Sequence, residues 1–299
     1  INPLNNASLV NSETVTIQLL PARMTDTTTI LLSVPAGSIN GTKAGLAITL
    51  QDSSSFIRLD SVFVIFGTPE VIFQDGGENG MTFWTADDNW GTVLDAAEGM
   101  YSITDSPFGE YVGDWGTSIT QLINSLSCAG MANPYVTFKS KWNIEANNDF
   151  VQFQVSTDGI SWTSLSGNYT IIGSGQGGQI SGEPGYDGYQ VEWVNEFIDL
   201  SAYDYEPEVS VRFILKSDGS VEEDGFYFDD INIRGYQRFF KGDLYQDQIL
   251  NVYDLLVLIE YAVFNSVTPV DLLPVADMNS DGSVDIDDIG PLIALIMGY

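Results

Sequence analysis

The chain has 299 residues and an apolar fraction of 44%, enough for two or three domains with ordinary cores, since one core typically serves about 100 to 150 residues. Ten Lys and Arg against 41 Asp and Glu give a formal net charge of -31; such a surface repels phosphate backbones and anionic lipid, which argues against nucleic acid and polybasic membrane docking and in favour of cations. Histidine is absent and Cys128 is the single cysteine, which removes the usual general base, Ser-His-Asp and Cys-His catalysis, His-containing zinc sites and any internal disulfide.

Residues 1–68 alternate in short bursts, ETVTIQLLP, TTTILLSVP, GLAITLQD and FIRLDSVFVIFG, punctuated by Pro21, Pro35, Gly37, Gly41 and Gly45. Thr, Val and Ile at this density between turn residues predict an antiparallel Ig-like or fibronectin-like β-sandwich. Nothing in the stretch points to chemistry. No apolar run approaches the roughly 18 residues of a membrane span, and the chain begins at Ile1 without a signal peptide, so a processed product or a piece of something longer is expected.

From 69 to 238 the loops lengthen and become rich in Gly, Asp and Trp, separated by clear strands: YVTFKSKWNI, FVQFQVSTDG, EVSVRFILKSDG and GFYFDDINIRG. In FVQFQVS, Val151, Phe153 and Val155 alternate with Phe150, Gln152, Gln154 and Ser156, the period-two pattern of a sheet with distinct faces. Asp158-Gly159 predicts a tight hairpin turn, because glycine tolerates positive φ, with Trp162 packing onto the sandwich. Asp229 and Asp230 precede the run INI, and adjacent strand residues point to opposite faces, so one of the pair at most can face a given site. A carboxylate at a strand end in a chain with so few Lys and Arg makes a metal ion a plausible partner.

The ordered series FQDGGENGMTFW, YSITDSPFGEY, VQFQVSTDGISWTSL, FIDLSAY and VRFILKSDGSVEEDGFYFDDINI resembles the MAM-like jelly-roll module of secreted bacterial metallopeptidases related to immune inhibitor A, found also in some bacterial zinc carboxypeptidases. The resemblance implies a non-catalytic accessory module of a secreted bacterial enzyme, carried downstream of a peptidase domain and often beside an Ig-like or fibronectin-like domain. It further implies a structural cation held between the beginning and end of the jelly roll, for which the matching positions are Glu78, Asp105 and Asp230, with Asp75 as a fourth.

The last segment, 239–299, changes period. Leu255, Leu258, Ile259 and Ala262 follow Asp254 at helical spacing, and Ile289, Leu292, Ile293 and Ile296 follow Asp288 in the same way, predicting two amphipathic helices. A shift of 34 residues superposes Asp243 on Asp277, Asp247 on Asp281, Asn251 on Asp285 and Asp254 on Asp288, so the segment is an internal duplication. Its second copy reads as a calcium loop: Asp277, Asn279 and Asp281 at positions 1, 3 and 5, Gly282 at the sharp turn, the Ser283 carbonyl at 7, Asp285 at 9 and Asp288 at 12. Asp243, Asp247, Ile249 (through its carbonyl), Asn251 and Asp254 form the first copy, where Tyr245 and Gln248 replace the oxygen ligand and the glycine. Pro291 falls in the first helical turn, where no hydrogen bond is lost.

Paired loop–helix units that lack an entering helix and end on Asp at position 12 resemble the dockerin module. That resemblance implies Ca2+-dependent docking to a cohesin-like partner through loop positions 10 and 11, here Val252 and Tyr253 in one copy and Ile286 and Asp287 in the other. The two pairs are dissimilar, so a symmetric two-way mode is not expected; a calcium-stabilised cap, packing on the jelly roll without a cohesin partner, is the alternative. The whole chain is then expected to be mainly β: an Ig-like β-sandwich, a jelly roll, and a small α-helical dockerin-like domain with duplicated EF-hand-type loops, secreted and without a catalytic site of its own. A carbohydrate-binding module is the competing reading, with Trp84, Trp90, Trp115, Tyr186, Tyr189 and Trp193 as rings that could stack on a glycan. A glycosidase-like pair of carboxylates needs no histidine, but no pair in the sequence has a distinguishing context.

Overall fold

A computed structural model describes residues 2–3, 8–9, 32–33, 40–51, 57–238, 240–245, 249–264, 266–269 and 272–298. These residues are mainly β and divide into two compact units, one of Pro69–Tyr236 and one combining Ile1–Thr68 with Gln237–Tyr299. No described helix is long and apolar enough to cross a membrane.

The Pro69–Tyr236 unit is a jelly-roll-type sandwich of two sheets. The five-stranded sheet runs in the order Thr163–Ser164, Phe150–Ser156, Ser210–Lys216, Thr117–Leu122 and Trp84–Ala86. The six-stranded sheet runs Gly188–Asp199, Met131–Ile144, Gly225–Gln237, Ser102–Thr104 and Gly91–Val93, with Glu70–Asp75 also pairing to Gly225–Gln237. Consecutive partners are antiparallel, as in Phe153 opposite Phe213 and Tyr227 opposite Thr104. The long strand Met131–Ile144 shows why a sandwich forms. Ala132, Val136, Phe138, Trp142 and Ile144 are buried on one side, and Tyr135, Thr137, Lys139, Lys141 and Asn143 are only half-buried on the other, so one pleat face must be covered and the other can meet solvent.

Between the sheets Phe138, Phe153, Phe213, Phe226 and Phe228 are essentially inaccessible. Phe213 of one sheet stacks on Phe228 of the other with ring centroids 4.4 Å apart, and Phe138 meets Phe213 edge to face at 5.4 Å. Each such ring contributes on the order of 1.5–3 kcal/mol by burial. Trp84, Trp90 and Tyr186 belong to this core, at 3%, 5% and 0% exposure. The expectation that these three could stack on a glycan is therefore corrected: their rings fill the space between the sheets.

FVQFQVS differs from a half-solvated strand in that all seven residues are buried. Its apolar row faces the core, and its polar row is buried too because every amide finds a partner. Gln152 donates to the Pro184 carbonyl at 2.9 Å, Gln154 donates to Ser164 Oγ at 3.1 Å, and Arg212 donates to Gln154 Oε1 at 2.8 Å. The Arg212 guanidinium also lies 4.0 Å from the Trp162 ring centre, which places Trp162 over this row. Asp158-Gly159 forms the predicted turn, with Gly159 at φ +68° and Asp158 Oδ1 accepting from Ile160 and Ser161 N–H at 2.8 and 2.7 Å.

In the other unit, Asn2–Pro3, Thr42–Gln51 and Ile57–Phe66 make a three-stranded antiparallel sheet, and Ser8–Leu9 pairs with Leu32–Ser33. The predicted strand ETVTIQLLP lies outside the described residues. Toward the C-terminus, helices Val252–Phe264 and Ile289–Met297 form as the two apolar repeats predict, the second preceded by a 3-10 turn at Ile286–Asp288. A four-residue helix, Leu273–Ala276, leads into the second loop. Leu244, Leu258, Ala276 and Leu292 form a core, with Leu250, Leu255, Met278, Val284 and Ile289 against it. Leu244 and Met278, Leu250 and Val284, Leu255 and Ile289, and Leu258 and Leu292 are all pairs 34 residues apart, so the duplication in sequence is one in packing.

Candidate functional site

The two C-terminal loops are built alike. In the second, buried Asp288 accepts from Asn279 N–H at 3.1 Å and Asp285 N–H at 2.8 Å. In the first, buried Asp254 accepts from Tyr245 N–H at 2.9 Å and Asn251 N–H at 2.8 Å. Each is the same bond displaced by 34 residues, and the caps repeat as well: Asp287 N–H to Asp285 Oδ1 at 2.9 Å, Tyr253 N–H to Asn251 Oδ1 at 2.7 Å. Tyr245 at position 3 therefore keeps its backbone role while its side chain lies against Tyr253, rings 5.7 Å apart.

Asp277 receives Asp281 and Gly282 N–H at 3.1 and 2.9 Å, and Asp281 receives Ser283 N–H at 2.8 Å and Asn279 Nδ2 at 2.9 Å. Ser280 and Gly282 take left-handed backbone, φ +65° and +88°. The second loop thus presents oxygen donors of the kind calcium takes, but its carboxylates are engaged by loop N–H groups and, among the described residues, no three of them converge within 4.8 Å of one another. Asp243 of the first loop is fully buried, Ile249 and Asn251 are tied by Asn251 Nδ2 donating to the Ile249 carbonyl at 2.9 Å, and Asp247 lies outside the described residues. Val252, Tyr253, Ile286 and Asp287 are all exposed, the first three at 56%, 57% and 67%.

The jelly-roll carboxylates are placed unevenly. Asp75 is buried, with Oδ1 accepting from Gly77 N–H at 3.2 Å and Oδ2 from Trp84 Nε1 at 2.7 Å. Glu78 Oε1 accepts from Met100 and Tyr101 N–H at 2.6 and 3.0 Å, and these bonds hold its carboxyl below the ordinary range. Buried Asp229, more than Asp230, carries the strand-end charge: its Oδ2 accepts from Ala97 and Glu98 N–H at 2.8 and 3.0 Å, its Oδ1 from Asp230 N–H at 2.7 Å, and burial raises its pKa. Glu78 and Asp229 thereby grip the two ends of the 97–101 turn. Asp230 takes φ +46° and lines a shallow depression with Gln74, Asp75, Gly76, Asn79 and Phe83. The Trp84 indole thus takes up part of the acceptor capacity that Asp75 could offer a cation. Asp105 makes separate contacts: Oδ1 accepts from Phe226 N–H at 2.8 Å, Oδ2 is buried without a partner, and burial pushes the carboxyl up to about 7.

Two groupings escape sequence reasoning. Glu145, Asp149 and Asp218 bring carboxylate oxygens within 4.8 Å of one another; Asp149 accepts from Tyr111 Oη at 2.7 Å and Asp218 N–H at 2.6 Å, and burial raises its pKa. With Asp218 69 residues from Asp149, no local pattern signals the cluster. The other is the outward face of the six-stranded sheet. Trp193 stands edge-on to Tyr227 at 6.5 Å and 88°, and the Lys141 ammonium lies 5.2 and 4.5 Å from those two ring centres. Tyr189, on the same strand as Trp193, is 73% exposed. The alternation Tyr135, Thr137, Lys139, Lys141, Asn143 is legible in YVTFKSKWNI, but the ring that completes the face, Tyr227, comes from a distant strand. Trp115 is also exposed, at 70%.

Among known proteins, a family model for the immune inhibitor A-like MAM domain matches residues 108–242. No curated protein matches the chain. Solved structures with similarity include the CBM22-1 xylan-binding domain from Paenibacillus barcinonensis Xyn10C, at 15% identity over 57% of this chain and 97% of that one, TM-score 0.35. The K3 cleaved adhesin domain of Lys-gingipain from Porphyromonas gingivalis w83 gives 12% identity over 55% and 99%, TM-score 0.34, and TmCBM61 in complex with beta-1,4-galactotriose gives 14% over 53% and 92%, TM-score 0.31. Residues 108–242 thus form a jelly-roll-type module similar to the immune inhibitor A-like MAM domain, an accessory or binding module rather than a catalytic domain.

Proposed function

We propose that this chain is the accessory region of a secreted bacterial peptidase, ending in a dockerin-like module that calcium braces for protein docking. The observation that carries the calcium reading is the pair of buried aspartates, Asp254 and Asp288, each closing its loop on the same two backbone N–H groups 34 residues apart. Asp277, Asn279, Asp281, the Ser283 carbonyl, Asp285 and Asp288 would hold the ion in the second loop; Asp243, Asp247, the Ile249 carbonyl, Asn251 and Asp254 would do so in the first. Bound calcium would draw the loop carboxylates together and neutralise them, and so favour the folded helical pair, since a ligand that binds only the folded state stabilises it. The exposed Val252, Tyr253, Ile286 and Asp287 support a cohesin-like partner surface at the entrance of the two helices. Chelation followed by calcium titration, read by circular dichroism and calorimetry, tests this: helicity and melting temperature should both rise with calcium. A segment equally helical and equally stable with and without metal would sink the reading.

A second reading is supported by the exposed ring of Tyr189 and the half-buried ring of Trp193, which lies against Lys141 and the buried Tyr227: the jelly roll binds a glycan on its six-stranded sheet. Aromatic faces stack on sugar C–H surfaces, and interleaved amides and ammonium groups orient hydroxyls. A glycan array returning no ligand for the full chain would remove it.

A further inference from the structure

Resting on the glycan reading, we infer that the outward face of the six-stranded sheet selects a chain of neutral sugars bearing sparse carboxylates, such as occasional uronic acid branches. The charge distribution carries the inference. Residues 69–236 contain five cations, Lys139, Lys141, Arg212, Lys216 and Arg234, in a molecule of net charge -31. Three of the five, Lys139, Lys141 and Arg234, stand on the two central strands of this sheet, Met131–Ile144 and Gly225–Gln237, at half-buried outward positions. Carboxylates are abundant in this molecule, yet of these three cations only Lys141 has an ion-pair partner, Asp95 at 2.5 Å. Lys139 has none, and Arg234 reaches only the Asn232 amide oxygen at 3.4 Å.

A half-buried cation left without a carboxylate is matched by one from outside; Lys139, two positions from Lys141 and its edge-to-face ring pair, and Arg234, seven positions along the strand from Tyr227, lie on one outward face where a chain of sugars could meet rings and cations together. A densely charged polyanion is a poor occupant, because the field of the whole chain repels it; a mostly neutral polymer with scattered acids approaches without that penalty and still satisfies Lys139 and Arg234.

The test uses the full chain in affinity electrophoresis and calorimetry against four soluble polymers: a neutral β-linked glucomannan, a glucuronoxylan, the same glucuronoxylan after reduction of its carboxyls to alcohols, and polygalacturonate. Binding is expected to be strongest to glucuronoxylan and about fivefold weaker to its reduced form, the size of one partly exposed ion pair. Lys139→Gln should shrink that difference and Lys139→Gln with Arg234→Gln should remove it, both leaving the reduced polymer's affinity unchanged. Trp193→Ala and, at an exposed position whose loss leaves the fold intact, Tyr189→Ala should weaken binding to both forms. Equal affinity for native and reduced glucuronoxylan, with no effect of Lys139→Gln, would overturn the carboxylate inference and leave the glycan reading standing. No binding to any polymer would overturn both, and preference for polygalacturonate would overturn the requirement for sparse charge.

Discussion

At the scale of single residues, burial decides which carboxylates carry unusual chemistry. Asp105 is 1% exposed with Oδ2 unpartnered, and desolvation, opposed by the Phe226 N–H, sets its pKa at about 7. Unfolded Asp titrates near ~3.9. Between those values the folded state keeps a proton that the unfolded state has lost, so the contribution of Asp105 to stability is full below about pH 4 and falls as pH rises through 7. Asp105→Asn keeps the acceptor for Phe226 and cannot ionise. Melting curves are therefore expected to show the variant gaining on the parent from pH 4 to pH 8, by a few kcal/mol at about 1.4 kcal/mol per pKa unit; parallel profiles would show that Asp105 ionises freely in the fold. Asp75 is the opposite case, a buried acceptor with both oxygens used. Asp75→Ala strands the Trp84 indole N–H in the core and is expected to cost about 1–3 kcal/mol, read by chemical denaturation. These two residues also mark a limit of sequence reading. FQDGG and TDSP announce a carboxylate at a strand end, but whether a tryptophan or nothing meets its oxygens depends on residues 9 to 121 positions away.

At the scale of elements, the C-terminal loops depend on a few backbone acceptors. Asp288→Ala and Asp254→Ala each free two N–H groups, one at the loop start and one at the helix start, so each is expected to reduce helicity and to cost on the order of 2–6 kcal/mol, at about 1–3 kcal/mol per stranded group. If calcium sits chiefly in the second loop, Asp288→Ala should also abolish the calcium-induced rise in melting temperature, whereas Asp254→Ala should leave part of it. Gly282, at φ +88° with open space around its α-carbon, can take no side chain without backbone strain; Gly282→Ala is expected to destabilise by about 1 kcal/mol and no more. Helix positions and the duplication were legible because periodicity and repeat spacing are local properties of the chain. The burial of FVQFQVS on both faces was not, because the cover over Gln152 and Gln154 comes from Pro184 and Ser164.

For the whole molecule, a net charge of -31 means that folding concentrates like charges. Screening lengths fall from about 30 Å at 0.01 M salt to about 8 Å at 0.15 M, so added sodium chloride should raise the melting temperature of the full chain by several degrees. Magnesium should do no more than its ionic strength predicts, and calcium should exceed both. Calcium no better than magnesium would point to general screening instead of built loops.

The sequence by itself determined the mainly β character, the jelly-roll motifs and the 34-residue duplication, because alternation, turn residues and repeat spacing act between neighbours along the chain. It also determined what was missing, since a chain without histidine cannot build the common catalytic sites wherever its strands run. Only the tertiary structure decided which aromatics are core and which are surface: Trp84, Trp90 and Tyr186 went between the sheets, Tyr189 stayed exposed, and Trp193 came to lie half-buried on the outward face against Lys141 and the covered ring of Tyr227. Strand pairing sets that choice. A ring's position in its own strand fixes which way it points relative to its neighbours, while the sheet laid against that strand determines whether the direction leads to core or to water.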